Sequence, residues 1–170
     1  MVEQGSLRDY IEQIISENPG IHFREIQRKS GAAVGQVEYH LYQLEKMEKI
    51  SIRKDGKLKR YFLLDNTGFS ERKIIYFLRN RYAKDVIFYL LEHDNVELSY
   101  FLTGRKGRQE NMRQIISDMI EQEVLHSESR SSSSHLFLSD PDKTKLVLKR
   151  FWKGGDTAQI CCQALLQAVE

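Results

Sequence analysis

The sequence predicts a mainly helical α+β protein in which small β-hairpins follow pairs of helices. Three features of residues 20–64 lead there. A short amphipathic run (23–29) meets a small-residue turn, Ser30-Gly31-Ala32-Ala33. A longer run (34–48) carries Val37, Leu41 and Leu44. A basic, alternating stretch (50–64) then surrounds Asp55-Gly56. Spacings of four and three put the three apolar residues on one helical stripe. An Asp-Gly pair between alternating residues is a strong hairpin signal. A helix-turn-helix followed by a basic β-ribbon is a winged helix.

Composition sets the outer bounds. A chain of 170 residues suits one or two small domains, and 41% hydrophobic residues suffice for packed cores. Net charge is only +2, with a pI near 8.5, so basicity of the whole chain argues for no partner. Only local concentrations of charge can. The start, Met1-Val2-Glu3-Gln4, is acidic and leads into an amphipathic helix, unlike a signal peptide. Apolar runs at 74–78 and 86–91 are too short to span a bilayer. The two cysteines, Cys161 and Cys162, are adjacent and give no disulfide framework. A cytosolic protein with no membrane partner is expected.

Taken in order, Ser6 is placed to cap a first helix with Leu7, Ile11, Ile14 and Ile15 facing inward, ended by Asn18-Pro19-Gly20. Ile21-His22 can pair as a short strand beside the hairpin. The second helix buries Phe23 and Ile26 and turns Arg24, Arg28 and Lys29 outward. On the third helix, the face opposite the apolar stripe carries Gln36, Tyr39, Gln43 and Lys46, with Gly35 and Tyr42 beside them. For the hairpin, a two-residue Asp55-Gly56 loop would set Ile52 opposite Lys59. A three-residue Lys54-Asp55-Gly56 loop sets Ile52 opposite Leu58 and is preferred, because it gathers Ile50, Ile52, Leu58 and Phe62 on one face. Arg53, Lys57, Lys59 and Tyr61 then share the other. Arg60 falls among the apolar residues, and no sequence argument explains it.

Asp65-Asn66-Thr67-Gly68 is a cluster of turn formers and the expected boundary between domains. Ser70 is the expected cap of a helix with Ile74, Phe77 and Leu78. A further helix with Val86, Tyr89 and Leu90 follows from about Asn80. The first plan then returns. Asn95 is expected to cap a short helix with Leu98, Phe101 and Leu102. A long helix (108–123) buries Met112, Ile115, Ile116, Met119 and Ile120, and a hairpin (124–139) has a polar tip at 130–134. Pro141 opens another helix, with Leu146, Val147, Leu148 and Phe151. Gly154-Gly155 breaks it. A last helix from Asp156 or Thr157 is apolar almost all round except for Gln159, Gln163 and Gln167. The expected domains are therefore 1–66, 67–139 and 140–170, the last for dimerisation.

The motifs carry a resemblance. Phe23-Arg24-Glu25-Ile26, then Val37-Glu38-Tyr39-His40-Leu41 with Leu44, then the strand ending Tyr61-Phe62-Leu63, resemble winged-helix transcriptional regulators. They look most like archaeal members related to the ArsR and MarR groups, which often carry a V-x-Y-H-L-x-x-L reader helix. Where that family has a Ser or Thr cap, this chain has Ala32-Ala33, so a weak N-cap is expected. The resemblance implies a sequence-specific regulator of double-stranded DNA that acts as a homodimer. It places His40 near a phosphate or base, although a partly buried structural histidine reads equally well. Metal-sensing members use clustered cysteines near the reader helix, and this sequence has none there.

In that reading Gln36, Tyr39, Gln43 and Lys46 present amide, phenol and ammonium groups to base edges. Arg24 and Arg28, with Arg53, Lys54, Lys57, Lys59 and Arg60 of the hairpin, hold phosphates. The second long helix instead faces outward with Glu110, Gln114, Ser117, Asp118 and Glu121, carboxylates that a phosphate-lined groove repels. Its module is expected to be an interaction domain. The histidines show no paired ligand spacing, and no nucleophile–base pair or phosphate loop stands out. Neither metal, cofactor nor enzymatic activity is expected, and no effector is legible. The rival reading is a tandem winged-helix adaptor that binds proteins without reading DNA, with Tyr39 and Tyr42 at its binding surface.

Overall fold

A computed structural model describes residues 6–65, 67–104, 106–130 and 133–151, apart from the side chains of Asp55 and Arg130. The chain divides into two compact units, Met1–Arg72 and Lys73–Glu170. The expected dimerisation helix at 156–170 lies outside the described residues.

In the first unit the order is α1 (Leu7–Glu17), β1 (Ile21–His22), α2 (Phe23–Ser30), α3 (Val34–Lys46), β2 (Ile50–Asp55) and β3 (Leu58–Leu63). Helix α1 starts where its cap chemistry dictates. The Asp9 N–H donates to Ser6 Oγ at 3.3 Å, and the Ser6 N–H donates back to Asp9 Oδ2 at 3.1 Å. His22 ends β1 and caps α2, its Nδ1 accepting from the Glu25 N–H at 3.3 Å. Gly31 closes α2 at φ 66, a left-handed conformation that glycine adopts without a Cβ clash. Helix α3 has the weak cap that Ala33 implies. Gln36 serves that terminus instead, its Oε1 accepting the Ala33 N–H at 3.2 Å.

The three helices pack as their stripes require. Ile11, Ile14 and Ile15 of α1, Ile26 of α2, and Val37, Leu41 and Leu44 of α3 close one core with Ile21, Ile50, Tyr61 and Leu63 of the sheet. Each such aliphatic side chain contributes about 1.5–3 kcal/mol by leaving water.

The hairpin overturns both registers considered from the sequence. Asp55 pairs with Leu58 across a two-residue Gly56-Lys57 turn, and Ile52 lies opposite Tyr61. Gly56 takes φ 57 at the first central position, where tight hairpin turns ask for glycine. Strand side chains alternate between faces, so the three-residue change relative to the preferred register exchanges the two sides of β3. Tyr61 and Leu63 turn into the core with Ile50 and Ile52. Leu58, Arg60 and Phe62 take the other face, with Phe62 buried and Leu58 45% exposed. Arg60 also finds its account: its guanidinium donates from Nη1 to the Gly20 carbonyl at 3.1 Å, tying β3 to the loop before β1.

The second unit repeats this plan. After α4 (Phe69–Leu78) come α5 (Arg81–Glu92), β4 (Val96–Glu97), α6 (Leu98–Phe101), α7 (Lys106–Glu121), β5 (Leu125–Arg130), β6 (Ser133–Leu138) and α8 (Pro141–Phe151). Both sheets are antiparallel and three-stranded, with the returning hairpin strand in the centre. The repeat is ungapped at an offset of 75 residues. Ile21 pairs with Tyr61 and Val96 with Leu136; Ile50 pairs with Leu63 and Leu125 with Leu138. The fold is thus α+β, two winged-helix arrangements followed by a further helix.

Two expected caps differ, and a third residue supplies one. Helix α4 begins at Phe69, one residue before Ser70, and the Gly68 N–H is satisfied by Glu71 Oε2 at 2.8 Å. Asn80 caps α5 by accepting from Tyr82 and Ala83. Asn95 caps nothing, because β4 intervenes before α6. Its Oδ1 instead meets His135 Nδ1 at 3.1 Å, at the positions equivalent to Gly20 and Arg60. On α8 Leu146 is 64% exposed, while Thr144 is buried, its hydroxyl donating to the Asp140 carbonyl at 2.8 Å.

Helices α3 and α7 end in the same way. The Lys49 N–H reaches back to the Leu44 carbonyl at 2.9 Å, and the Val124 N–H to that of Met119 at 2.9 Å. The turn forces Glu48 to φ 56 and Glu123 to φ 59, a conformation that costs a non-glycine residue roughly 1–2 kcal/mol. Glu48→Gly and Glu123→Gly should therefore each stabilise the protein, by about 0.5–1 kcal/mol after the entropy cost of glycine. Urea unfolding of the two variants reads this directly, and loss of stability in either would refute the strain.

Candidate nucleic-acid interface

The groups that the sequence assigns to DNA occupy the outer surfaces of three elements of the first unit. On α3, Gln36, Tyr39 and Lys46 are exposed, Tyr39 by 59%. Gln43 and His40 are half-buried at the edge of that face. The His40 ring meets Tyr39 edge-on, with centroids 5.3 Å apart. Gln36 commits its amide oxygen to the α3 terminus, which leaves its NH₂ as the group turned to solvent. On α2, Arg24 and Arg28 are exposed and four residues apart, so they share a face.

The hairpin concentrates charge in a way the sequence register did not predict. Lys54 lies directly opposite Lys59, and Arg53 opposite Arg60. Like charges facing each other across a ladder are destabilising, by a few tenths to about 1 kcal/mol. Lys54, Lys57 and Lys59 are exposed and form no hydrogen bond or ion pair with the described residues, and the same holds for Arg24, Arg28 and Lys46. Arg53 and Arg60 are half-buried and already engaged. Among the described residues, the free cations of the hairpin are therefore the three lysines.

Between α3 and the hairpin opens a cleft of about 640 Å³. Phe23, Leu41, Ile52, Leu58 and Tyr61 contribute apolar groups to its lining. Glu38 and Glu45 line it from α3, beside Tyr42, and Arg24, Lys57 and Lys59 from α2 and the hairpin. Burial first, then the carboxylates of Glu45 and Glu38, hold the Tyr61 phenol above the ordinary tyrosine value. Sequence reasoning passed over Glu38, Glu45 and Tyr61. A wheel would have found the two glutamates, which stand seven residues apart beside Leu41. Tyr61 could not be found without the hairpin register.

A family profile described as an N-terminal HTH domain matches residues 5–75. The first unit is similar to a helix-turn-helix domain over nearly its whole length. No curated protein matches the chain. Among solved structures, a chain of the ESCRT-II endosomal trafficking complex is 13% identical, with a TM-score of 0.31, over 79% of this chain and 61% of that one. No helix among the described residues is long and apolar enough to cross a membrane. Nor do those residues hold a cluster of three or more His, Cys, Asp or Glu able to bind a metal.

The position of Tyr61 has a pH consequence. The folded chain keeps the phenol proton to higher pH than the unfolded chain does. Its contribution is therefore fully present below about pH 10 and lost as pH rises through the folded-state value. Melting temperatures of wild type and Tyr61→Phe should diverge in their pH dependence only at alkaline pH, the wild type falling more steeply. Parallel curves would place the phenol in water.

Proposed function

We propose that the protein is a sequence-specific, double-stranded DNA-binding transcriptional regulator that reads the major groove with α3 and holds phosphates with α2 and the hairpin. The observation that carries this reading is the hairpin's charge arrangement. Lys54 and Lys59 face each other with no ion pair to a described residue, beside Lys57 at the turn. A polyanion relieves that repulsion and releases its own counterions in return. The helix-turn-helix match supports the reading at a coarser level. The exposed Tyr39, Gln43 at its edge and Lys46 supply groups suited to base edges. The finer kinship with archaeal ArsR- and MarR-type regulators, and action in the cytoplasm, rest on the V-x-Y-H-L-x-x-L pattern of α3 and on composition. The proposed role is binding and not catalysis.

The second unit shares the topology but not the chemistry. At the offset of 75 residues Tyr39, Gln43 and Lys46 correspond to Gln114, Asp118 and Glu121, and Gln114 donates to Asp118 at 2.8 Å. A groove lined with phosphates would repel those carboxylates. The second unit is accordingly assigned to binding other proteins rather than to a second reading head.

Replacing Lys54, Lys57 and Lys59 with alanine should weaken binding to random duplex. It should also flatten the plot of log K against log salt by roughly 0.9 for each phosphate that is no longer neutralised. Tyr39→Ala should alter site preference while shifting stability by no more than about 0.5 kcal/mol. Leu41→Ala, by contrast, should cost about 2–5 kcal/mol. An unchanged salt slope would exclude the hairpin from DNA and favour the adaptor reading.

A homodimer is part of the proposal. The sequence of residues 156–170, if helical, would be apolar on more of its circumference than one core requires, and a two-fold axis sets two readers one turn of DNA apart. Removing these residues should yield a monomer with much weaker affinity for a palindromic site. Sedimentation of the full chain as a monomer at micromolar concentration would overturn the dimer.

A further inference from the structure

The cleft between α3 and the hairpin has oppositely charged walls that do not touch. Glu38 and Glu45 stand on one helical flank, seven residues apart, so both project to the same side of α3. Arg24, Lys57 and Lys59 come from the elements facing them. None of the five takes part in a hydrogen bond or ion pair with a described residue. Opposite charges that line one cleft bridge where their side chains meet, and these make no such bridge. Below them Leu41 and Tyr61 are anchored in the core, with Phe23 and Ile52 packed against it. The result is an apolar floor with an acidic wall and a basic wall, and about 640 Å³ of space between them. That volume falls within the usual range for small-molecule sites, which combine apolar lining with a few convergent polar groups.

The distribution of charge says what would fill it. A polyanion is poorly matched, because Glu38 and Glu45 lie on the helix wall and act on Tyr61 at the floor. A simple cation is opposed by the lysines. We propose that the cleft binds a small zwitterion with an apolar body, of the class of short aromatic peptides, its cationic group toward Glu38 and Glu45 and its anionic group toward Arg24, Lys57 and Lys59. Such a ligand completes the ion pairs that the fold leaves open. Its apolar body covers Phe23, Leu41, Ile52 and the Tyr61 ring. It also sits between the helix and the hairpin that the proposed function puts on DNA. Antagonism between ligand and duplex follows, and this consequence alone rests on that function.

The test is calorimetric titration of the full chain with the dipeptide Phe-Leu in four forms: free, N-acetylated, C-amidated and doubly blocked. The free form should bind tightest, and each blocked terminus should weaken it about tenfold, the scale of one charge-assisted hydrogen bond. Glu38→Gln with Glu45→Gln should abolish the preference for a free amino group but keep that for a free carboxylate. Lys57→Met with Lys59→Met should do the reverse. Ile52→Trp should fill the cleft and remove binding of all forms, and circular dichroism of each variant checks that it folds. Equal binding of the four forms, preferences unmoved by the charge variants, or no heat at millimolar peptide would each overturn the site. Displacement of a fluorescent random duplex by the free dipeptide supports the antagonism. If the dipeptide binds with the stated pattern and the duplex does not bind at all, the DNA reading falls and the ligand site stands. If the duplex binds and the dipeptide does not, the ligand site falls alone.

Discussion

The first unit depends on which side of β3 faces inward. A strand offers only two choices, and the Gly56-Lys57 turn selects the one that buries Tyr61 and Leu63 under α3. The hairpin's share of the candidate interface follows from that selection. Tyr61 becomes the floor of the cleft, Lys59 is left on the cleft side facing Lys54, and Arg60 turns to the opposite face, where it braces the Gly20 carbonyl. A turn one residue longer would have exchanged these roles and put phenol and guanidinium in each other's place.

The same constraint recurs at an offset of 75 residues, and the chemistry it supports changes around it. The core positions keep their apolar character: Val37, Leu41 and Leu44 correspond to Met112, Ile116 and Met119, all buried. The brace is retained with different atoms, Arg60 to a backbone carbonyl in one unit and His135 to the Asn95 side chain in the other. Even the strained helix ends coincide at Glu48 and Glu123. The outward positions share no such pressure. Lys46 of α3 corresponds to Glu121 of α7, and Glu38 to Arg113. A fold held by its core leaves its outer faces to diverge, so the topology of the second unit carries no argument that it reads DNA.

Charge in the first unit is likewise a matter of placement rather than amount. The chain is nearly neutral overall, yet three elements gather cations on their outer surfaces, and one flank of α3 holds two carboxylates. Long-range attraction of a polyanion and local rejection of it from the cleft are compatible, because the first acts over about a Debye length and the second within a few ångströms.

The amino-acid sequence by itself determined the elements. Helix stripes at Ile11, Ile14 and Ile15 and at Val37, Leu41 and Leu44, the breaks at Pro19-Gly20 and Gly31, and the Asp55-Gly56 hairpin signal are all local patterns, and local patterns survive without knowledge of the tertiary fold. The plan's return in the second half was legible for the same reason, since core positions must stay apolar at any distance along the chain. What only the tertiary structure decided depends on which residues meet across the chain. The hairpin register differed from the sequence expectation because Tyr61, amphipathic and readable as either face, was drawn inward by a core with room for it. Strand β4 was missed because two residues carry no periodicity; they become a strand only beside β6. Asn95 read as a cap because its type favours caps, and it became a partner for His135 because the sheet brought that ring within 3.1 Å. The cleft belongs wholly to this second kind of information: its lining comes from separate elements, and its opposed charges acquire meaning only when the fold brings them to one cleft.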